Sequence, residues 1–546
     1  MMPIRVLEPR VDVKADVEQN HVVLQGGLRV TQQLHTADTA SASQALWSIY
    51  PPSPQTIVDR LVKVKFQIEM TTTNGNDIDW TANELAPRQF PLQSVLDVLT
   101  VQINGESISD NVSDKIHALL AYGNTAEDRN KSWSQTAAQP DQYPTYELLN
   151  PLGSGRQVAA KYGENVLETP RGGFYKVEEK AKSAIWEFTE PLILSPFYEG
   201  LGGQTEGFIN VNQFNISLRF RDLTRMISSA IDLAGLTVTF VKKPEILITY
   251  ITPDLTQGIP TLQTLPYHKS QDYVKRIEGG AKARGDNFEI TSDTLRLSQI
   301  PRKMYIFAKE RRDVADYKST DTFARIKNVS ILWNNQSGLL ANASEQDLHE
   351  ISLRNGCNIS WTQWAQHRGS VLCIEFGKDI GLLDNEAPGV RRQHVIQIKT
   401  QFECLRDNWE GEVFTLMVME GTFQISENVG RATLGNLTSE MVMASRGGIQ
   451  MDYHHYQSLQ GGGFLTSMKS FVNKLARGVQ GAAKFAEHAA PAFVKQFPGL
   501  APVAAALPVV GRIAGDVRHL TGGSVSGVSG GGMSGGRLRR GRRGRR

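Results

Sequence analysis

Val62, Val64, Phe66, Ile68 and Met70 alternate with Lys63, Lys65, Gln67 and Glu69. Successive side chains of an extended strand point to opposite faces, so a period of two describes a strand with one face in a core and the other in water. The same alternation returns in Phe214, Ile216, Leu218 and Phe220, in the run from Leu236 to Val241, and in Ile396, Ile398 and Phe402. A further apolar strand is expected from Val413 to Met419. Patterned this way through residue 456, with little helical periodicity, the chain predicts an all-β fold of sandwich or jelly-roll type rather than an alternating βα scheme.

Two short helices are expected, in similar settings. A strand ending near Ile103 meets an Asn104-Gly105 hairpin signal, after which Ser113 is expected to cap a helix carrying Ile116, Leu119 and Leu120 that stops by Gly123. A strand ending near Trp333 meets Asn334-Asn335, after which Ser344 is expected to cap a helix with Leu348 and Ile351 that stops by Gly356. The two units are about 230 residues apart, far beyond solenoid or propeller periods of roughly 20 to 50 residues. Two β domains of similar plan in tandem are expected, with the boundary near residues 245 to 265, where Pro244, Pro253, Pro260 and Pro266 interrupt the pattern. A length of 546 residues suits more than one domain.

The formal net charge of +3 conceals an asymmetry. From Gln457 onward 14 Lys or Arg face only Glu487 and Asp516, so a tail of charge +12 follows a body of charge −9. Such a distribution points to a polyanionic partner for the tail. The tail opens with Gly461 to Gly463, then places Phe464, Met468, Phe471, Val472, Leu475, Val479 and Ala482 at helical spacing with Lys469, Lys474, Arg477 and Lys484 largely off that stripe. This basic amphipathic segment has two readings, packing on the body or lying in a membrane interface. An Ala/Pro/Val-rich stretch, Pro491 to Gly511, is too short and proline-broken to span a bilayer.

The chain ends in a Gly/Ser linker and the cluster Arg537, Arg539, Arg540, Arg542, Arg543, Arg545 and Arg546. Interleaved with glycine, these arginines suit phosphate neutralisation without sequence readout, and nuclear import is compatible with the same composition.

Enzymatic constellations are missing: no GxxxxGK[ST], no GxGxxG after a strand, no HExxH and no GxSxG. A two-domain cupin would need clustered histidines, but His454 and His455 are adjacent and would point to opposite faces of a strand. Cys357, Cys373 and Cys404 are widely spaced and are expected to be reduced core residues. The charged N-terminus lacks the apolar core of a secretory signal, so synthesis in a reducing compartment is expected. Arg284-Gly285-Asp286 spells an integrin-type tripeptide in a polar stretch, and it is read as a plain solvated turn in preference to a receptor-binding site. No catalytic, cofactor-binding or metal residue is assigned, and no cofactor is expected.

Several stretches resemble the double jelly-roll major capsid proteins of polinton-like viruses, adintoviruses and their relatives. They are YPPSPQTIVDR at Tyr50 to Arg60, LPYHKSQDY at Leu265 to Tyr273, NNQSGLLANASEQDLHEISLRNG at Asn334 to Gly356, and CIEFGKDIGL at Cys373 to Leu382 followed by Ala387-Pro388-Gly389. The resemblance implies two jelly rolls per chain, three chains per pseudo-hexagonal capsomer, and an icosahedral particle around double-stranded DNA. The expected organisation is an N-terminal arm (1–20), a first jelly roll (21–250), a second (251–456), an amphipathic and apolar tail segment (457–523) and a Gly/Ser linker with the arginine-rich terminus (524–546).

The tail also resembles precursors cut by the adenovirus-type cysteine protease at Met, Ile or Leu, any residue, Gly-Gly. Leu459-Gln460-Gly461-Gly462 before Gly463, Leu520-Thr521-Gly522-Gly523 before Ser524, and Met533-Ser534-Gly535-Gly536 before Arg537 fit the pattern, each at a change of composition. Leu24-Gln25-Gly26-Gly27 fits it near the N-terminus. The implied partners are further copies as a homotrimer, neighbouring capsomers, penton and minor capsid proteins, viral DNA through the tail, the maturation protease, and a membrane through the amphipathic segment. The implied location is the virion, after synthesis in the host cytoplasm with nuclear import as an open route. The rival readings are a minor vertex or spike protein and a tandem β-sandwich carbohydrate-binding or cupin-like protein.

Overall fold

The computed structural model describes residues 29–53, 55–73, 85–124, 135–145, 178–180, 183–197, 207–229, 232–252, 261–426 and 429–446. The Gly-Gly matches of the tail, Leu24 to Gly27, the arginine cluster, the amphipathic segment, the Ala/Pro/Val stretch and the His454-His455 pair lie outside the described residues. The described residues up to Met443 form one compact unit.

Eight principal strands come first: β1 (Arg29–Thr36), β2 (Gln44–Ile49), β3 (Lys63–Thr71), β4 (Leu96–Ile103), β5 (Glu106–Asp110), β6 (Ser183–Pro191), β7 (Phe214–Phe220) and β8 (Glu245–Thr252). They form two antiparallel sheets, ordered β1-β8-β3-β6 and β2-β7-β4-β5. Eight more follow: β9 (Leu262–Arg276), β10 (Asn287–Thr291), β11 (Lys303–Glu310), β12 (Arg325–Trp333), β13 (Gln336–Leu339), β14 (Leu372–Glu375), β15 (His394–Glu403) and β16 (Gly411–Ser426). Their orders, β9-β16-β11-β14 and β10-β15-β12-β13, are the first pair advanced by eight. Each set is a jelly roll in which the chain passes repeatedly between two facing sheets. Shorter pieces extend the sheets, including Ile57–Val58 beside β8 and Gly430–Leu434 beside β16.

The alternating runs became strands because one face of each is buried. In β3, Val64, Phe66, Ile68 and Met70 lie in the first core, while Lys63, Lys65, Gln67 and Glu69 are half-buried on the other face. Across the β3–β6 ladder Phe66 sits opposite Phe188, with ring centroids 5.4 Å apart. In β11 the sequence Met304-Tyr305-Ile306-Phe307-Ala308 does not alternate, and every one of these side chains is buried. A strand covered on both faces has no solvent side to spend polar residues on.

The Asn104-Gly105 turn has the two left-handed residues that a two-residue hairpin needs, at φ of 46° and 88°. The helix Glu345–Arg354 is capped by Ser344, whose side chain accepts from the Asp347 amide while the Asp347 carboxylate accepts from the Ser344 amide. The earlier helix is only Ile116–Leu119, and Ser113 does not cap it. There the turn starts on the Val112 carbonyl, which accepts from Lys115 and Ile116, so Ser113 is buried short of a capping position. Pro266 does not break the chain either. It lies within β9, an edge strand, where a missing N–H is tolerated. The three cysteines are buried and free.

The cores trade pieces. Leu265 and Tyr267 of β9 with Phe423 and Ile425 of β16 pack into the first core, while Ala118, Ala121 and Tyr122 pack into the second. Asn104 fastens one end of this exchange. Its side-chain amide donates to the carbonyls of Asn210 (2.7 Å) and Ser426 (2.9 Å), and its side-chain oxygen accepts from the Asn212 amide (2.8 Å). The backbone carbonyl of Asn104 takes the Gly430 amide at 3.1 Å. Replacing Asn104 by Ala strands the three groups its side chain serves, leaves the backbone bond to Gly430, and puts a less suited residue at positive φ, so a loss of about 1–3 kcal/mol is expected in chemical denaturation. An unchanged midpoint would show that the clasp contributes nothing.

Candidate functional site at the junction of the two jelly rolls

The β9-β16-β11-β14 sheet turns its second face towards the first jelly roll. Tyr305 of β11 meets Tyr122 edge to face at 5.1 Å, and the Tyr122 hydroxyl donates to the Val371 carbonyl at 2.5 Å. Lys115, buried on the segment after β5, pairs with Asp110 and, at 3.5 Å, with Asp272 of β9. Beside this contact lies a cavity of about 180 Å³ lined by residues of both jelly rolls, among them Asp114, His117, Arg221, Arg225, Lys309 and Asp321.

Two carboxylates organise the charges. Asp114 pairs with Arg221 at 3.0 Å, with Lys309 of β11 at 3.2 Å, and with Arg312. Burial disfavours its charge, but Lys309, Arg221 and Arg312 together outweigh that and hold the carboxyl below its ordinary range. Asp321 pairs with Arg88 at 2.9 Å and Arg225 at 3.0 Å, with His117 Nε2 at 3.5 Å. It too is buried, and the charges of Arg88, His117 and Arg225 hold it far below the usual carboxylate range. Burial brings Arg225 down to about 10, with Arg88 adding to the effect. Burial likewise lowers Lys309 against the opposing pull of Asp114, and its ammonium lies 4.8 Å over the Phe414 ring.

The segment bearing Arg88 is held from behind. Its Nη2 donates to the carbonyls of Asp316 (2.9 Å) and Ser319 (2.5 Å), so one fully buried side chain spans both jelly rolls. Glu190 of β6 receives the amides of Leu92 (3.2 Å) and Gln93 (3.1 Å) and the Thr136 hydroxyl (2.9 Å), fixing the turn that follows. Burial raises the Glu190 carboxyl to about 7, against the opposing effect of these donors.

Chemically this is a joint. The acidic groups are committed to arginines and lysines across the domain contact, and among the described residues no group of three or more His, Cys, Asp or Glu is placed to hold a metal ion. No helix among them is long and apolar enough to cross a membrane. Arg284, Gly285 and Asp286 form an exposed turn between β9 and β10. The Asp286 carboxylate closes it by accepting the Ala283 amide at 2.8 Å.

Sequence reasoning found none of the junction residues. Arg88 and Asp321 are 233 positions apart, and no spacing rule connects them. The one usable signal was the non-alternating run Met304 to Ala308, which marks a strand covered on both faces.

Comparison with known proteins gives the same picture. A family model described as the Sputnik virophage major capsid protein first domain matches residues 3–243, and one described as the major capsid protein V20 C-terminal domain matches residues 271–420. The putative capsid protein V20 of Sputnik virophage is 28% identical over 524 residues, covering 86% of each chain. A chain of the Sputnik virophage solved by cryo-EM superimposes with a TM-score of 0.71 at 25% identity, covering 83% of this chain and 96% of that one. The mavirus major capsid protein shares the fold, with a TM-score of 0.61 at 14% identity over 77% of this chain and 93% of its own.

The matches to capsid proteins across both jelly rolls make this a structural, shell-building protein and not an enzyme. The chain belongs to the double jelly-roll major capsid proteins, is related to that of the Sputnik virophage, and has its place in the icosahedral capsid of a DNA virus.

Two measurements bear on the junction. Asp321→Ala leaves Arg88 and Arg225 buried without their shared carboxylate and is expected to cost about 3–5 kcal/mol, read as a lower denaturation midpoint. Loss of less than 1 kcal/mol would mean that the pairing is not what holds this contact.

Glu190 gives a pH signature of the opposite sign to that of the two aspartates. Its folded pKa of about 7 exceeds the ordinary 4.5, so its stabilisation is full below 4.5 and is lost as pH rises through 7, a span of roughly 3 kcal/mol. Between about pH 5 and pH 8 the wild-type protein should lose stability relative to Glu190→Gln. Parallel pH curves for the two proteins would refute the assignment.

Proposed function

We propose that this major capsid protein assembles as a homotrimer whose six jelly rolls make a pseudo-hexagonal capsomer, and that such capsomers tile an icosahedral shell around double-stranded DNA. The observation that carries this reading is the repetition of one strand order at an interval of eight strands within a single compact unit. Two similar lobes per chain give six similar positions around a threefold axis, a closed symmetric tile. On this reading 21–250 and 251–456 are the two lobes, and the arms outside them serve assembly.

The tail is the interior arm. Its charge of +12 suits the DNA side of the shell, where Arg537, Arg539, Arg540, Arg542, Arg543, Arg545 and Arg546 neutralise phosphates. A protease of the adenovirus type cuts after Gly462, Gly523 and Gly536 during maturation, and the released amphipathic segment acts on a membrane during infection. Penton and minor capsid proteins fill the remaining positions of the shell, and nuclear import of the arginine-rich chain precedes assembly. A relationship to polinton-like viruses and adintoviruses is the lineage consistent with the phrases at Tyr50 to Arg60 and Asn334 to Gly356.

The test is the intact mass of this polypeptide from purified particles. A body ending at Gly462 with separate tail peptides is expected. A chain of 60.4 kDa in abundant trimers would leave the capsomer and remove the maturation step. Presence in only a few copies per particle would replace the capsomer reading with the vertex or spike reading.

A further inference from the structure

Ser113, which caps no helix, is 7% exposed, and its buried hydroxyl has no hydrogen-bond partner among the described residues. It lines the cavity of about 180 Å³ at the junction of the lobes. A single water needs only about 10–15 Å³ of such space, so the cavity has room for a group of several heavy atoms.

The rest of the wall carries cations from both lobes. Arg221 and Arg225 come from the segment after β7, and Lys309 and Arg312 from the end of β11 and the turn after it. Arg88 and Arg406 reach the same wall through Asp321 and Glu310. Arg312 and Asp222, both exposed, mark the mouth.

These cations hold more donors than the acids around them can take. Arg221 directs Nε to Asp97 at 3.1 Å and Nη2 to Asp114 at 3.0 Å, which leaves Nη1 without a partner among the described residues. Arg225 directs Nη1 to the Asp316 carbonyl at 3.2 Å and Nη2 to Asp321 at 3.0 Å, which leaves Nε in the same condition. Asp114 is shared by Arg221, Lys309 and Arg312, and Asp321 by Arg88 and Arg225, so two carboxylates are divided among five cations. Of the other acids at the wall, Glu310 pairs with Arg406, and Asp222 accepts the Thr224 amide of its own turn. Burial pushes up the nearby Glu412 carboxyl, which disfavours a further negative charge beside Lys309.

The cations also repel one another. Burial lowers Arg225 to about 10, with Arg88 and Arg221 adding to the effect, and lowers Arg406 to about 10, with Arg225 and Arg88 adding to it. Lys309 is lowered by burial and, against the pull of Asp114, by Arg221 and Arg225. An anion among them would relieve this repulsion and accept from the free donors, the Ser113 hydroxyl included.

We propose that the junction cavity binds a phosphate-class oxyanion, held by Ser113, Arg221 and Arg225 of the first lobe and by Lys309 and Arg312 of the second. With donors from both lobes the anion bridges the joint and adds to the pairing at Asp114 and Asp321. One chain carries the whole site, so the inference stands apart from the capsomer reading.

Calorimetric titration of inorganic phosphate into the full-length chain, at an ionic strength held constant with chloride, tests the site. Saturable binding is expected, together with a rise in melting temperature that chloride alone does not give. Ser113→Ala removes a hydroxyl that has no protein partner, so its melting temperature without phosphate should match the wild type while phosphate affinity falls by about tenfold. If that variant misfolds, Arg312→Gln at the exposed mouth decides, with a loss of affinity expected there too. Competition by a nucleoside monophosphate would assign the site to a phosphoryl group on a larger molecule, and its failure to compete would assign it to the free ion. Absence of saturable binding, equal melting shifts with phosphate and chloride, or undiminished affinity in both variants would overturn the site.

Discussion

The second face of the β9-β16-β11-β14 sheet is the surface on which the rest of the molecule depends. A jelly roll normally buries one face of each sheet and wets the other. Here Tyr305, Phe307, Phe414 and Leu416 are buried on what would be the wet side, covered by Tyr122 and its neighbours from the first jelly roll together with Phe323 of the second. At about 1.5–3 kcal/mol for each large apolar side chain removed from water, separating the lobes would cost an amount comparable to a typical domain's whole net stability. The two jelly rolls are therefore one folding unit in energetic terms, although each has the strand order of a complete domain.

Apolar contact explains why the lobes stay together but not why they meet at one angle, and the buried charges supply that. A pair such as Arg88 and Asp321 gains little over well-packed apolar residues of the same volume, because both ions lose their hydration. Displacement of the lobes is another matter: a small slide leaves Arg88, with no exposed surface, facing no carboxylate. Asp114 holds partners from both lobes, and Asp321 of the second lobe is held by Arg88 and Arg225 of the first, so the penalty rises for sliding in more than one direction. For a shell component this matters because an error in the angle between lobes is multiplied around the capsomer and again across the shell.

What was legible in the sequence divides along the same line. The strands of the exposed sheets announced themselves by alternation: Val64, Phe66, Ile68 and Met70 were read as a one-sided strand and are one. The repeated hairpin-and-helix unit exposed the tandem plan, since Asn104 and Asn334 do occupy turns at positive φ and Ser344 does cap its helix. The Ser113 cap failed because the segment is shaped by Asp114 and Lys115 reaching across the lobes, a tertiary demand that no local pattern reports. Pro266 misled for a related reason: proline disfavours a central strand, and only the sheet order shows that β9 is at an edge. The junction itself was invisible because it joins residues far apart in sequence, from 96 positions for Arg225 with Asp321 to 233 for Arg88 with Asp321.

The contrast between the two outer faces follows from when each must be covered. A surface buried as the chain folds can be purely apolar, because it never waits in solution. A surface that must wait for another molecule carries a compromise, with apolar side chains enough to hold and charges enough to keep the free subunit soluble. The face of β11 and β16 is of the first kind. The outer face of β1, β8 and β3 is mixed, with Val30 and Leu34 exposed, Lys63 and Lys65 half-buried, and Thr249 and Ile251 buried. Two sheets of identical topology thus differ in how much of the outer face is buried, β11 along the whole run Met304 to Ala308 and β8 only along Ile248 to Ile251.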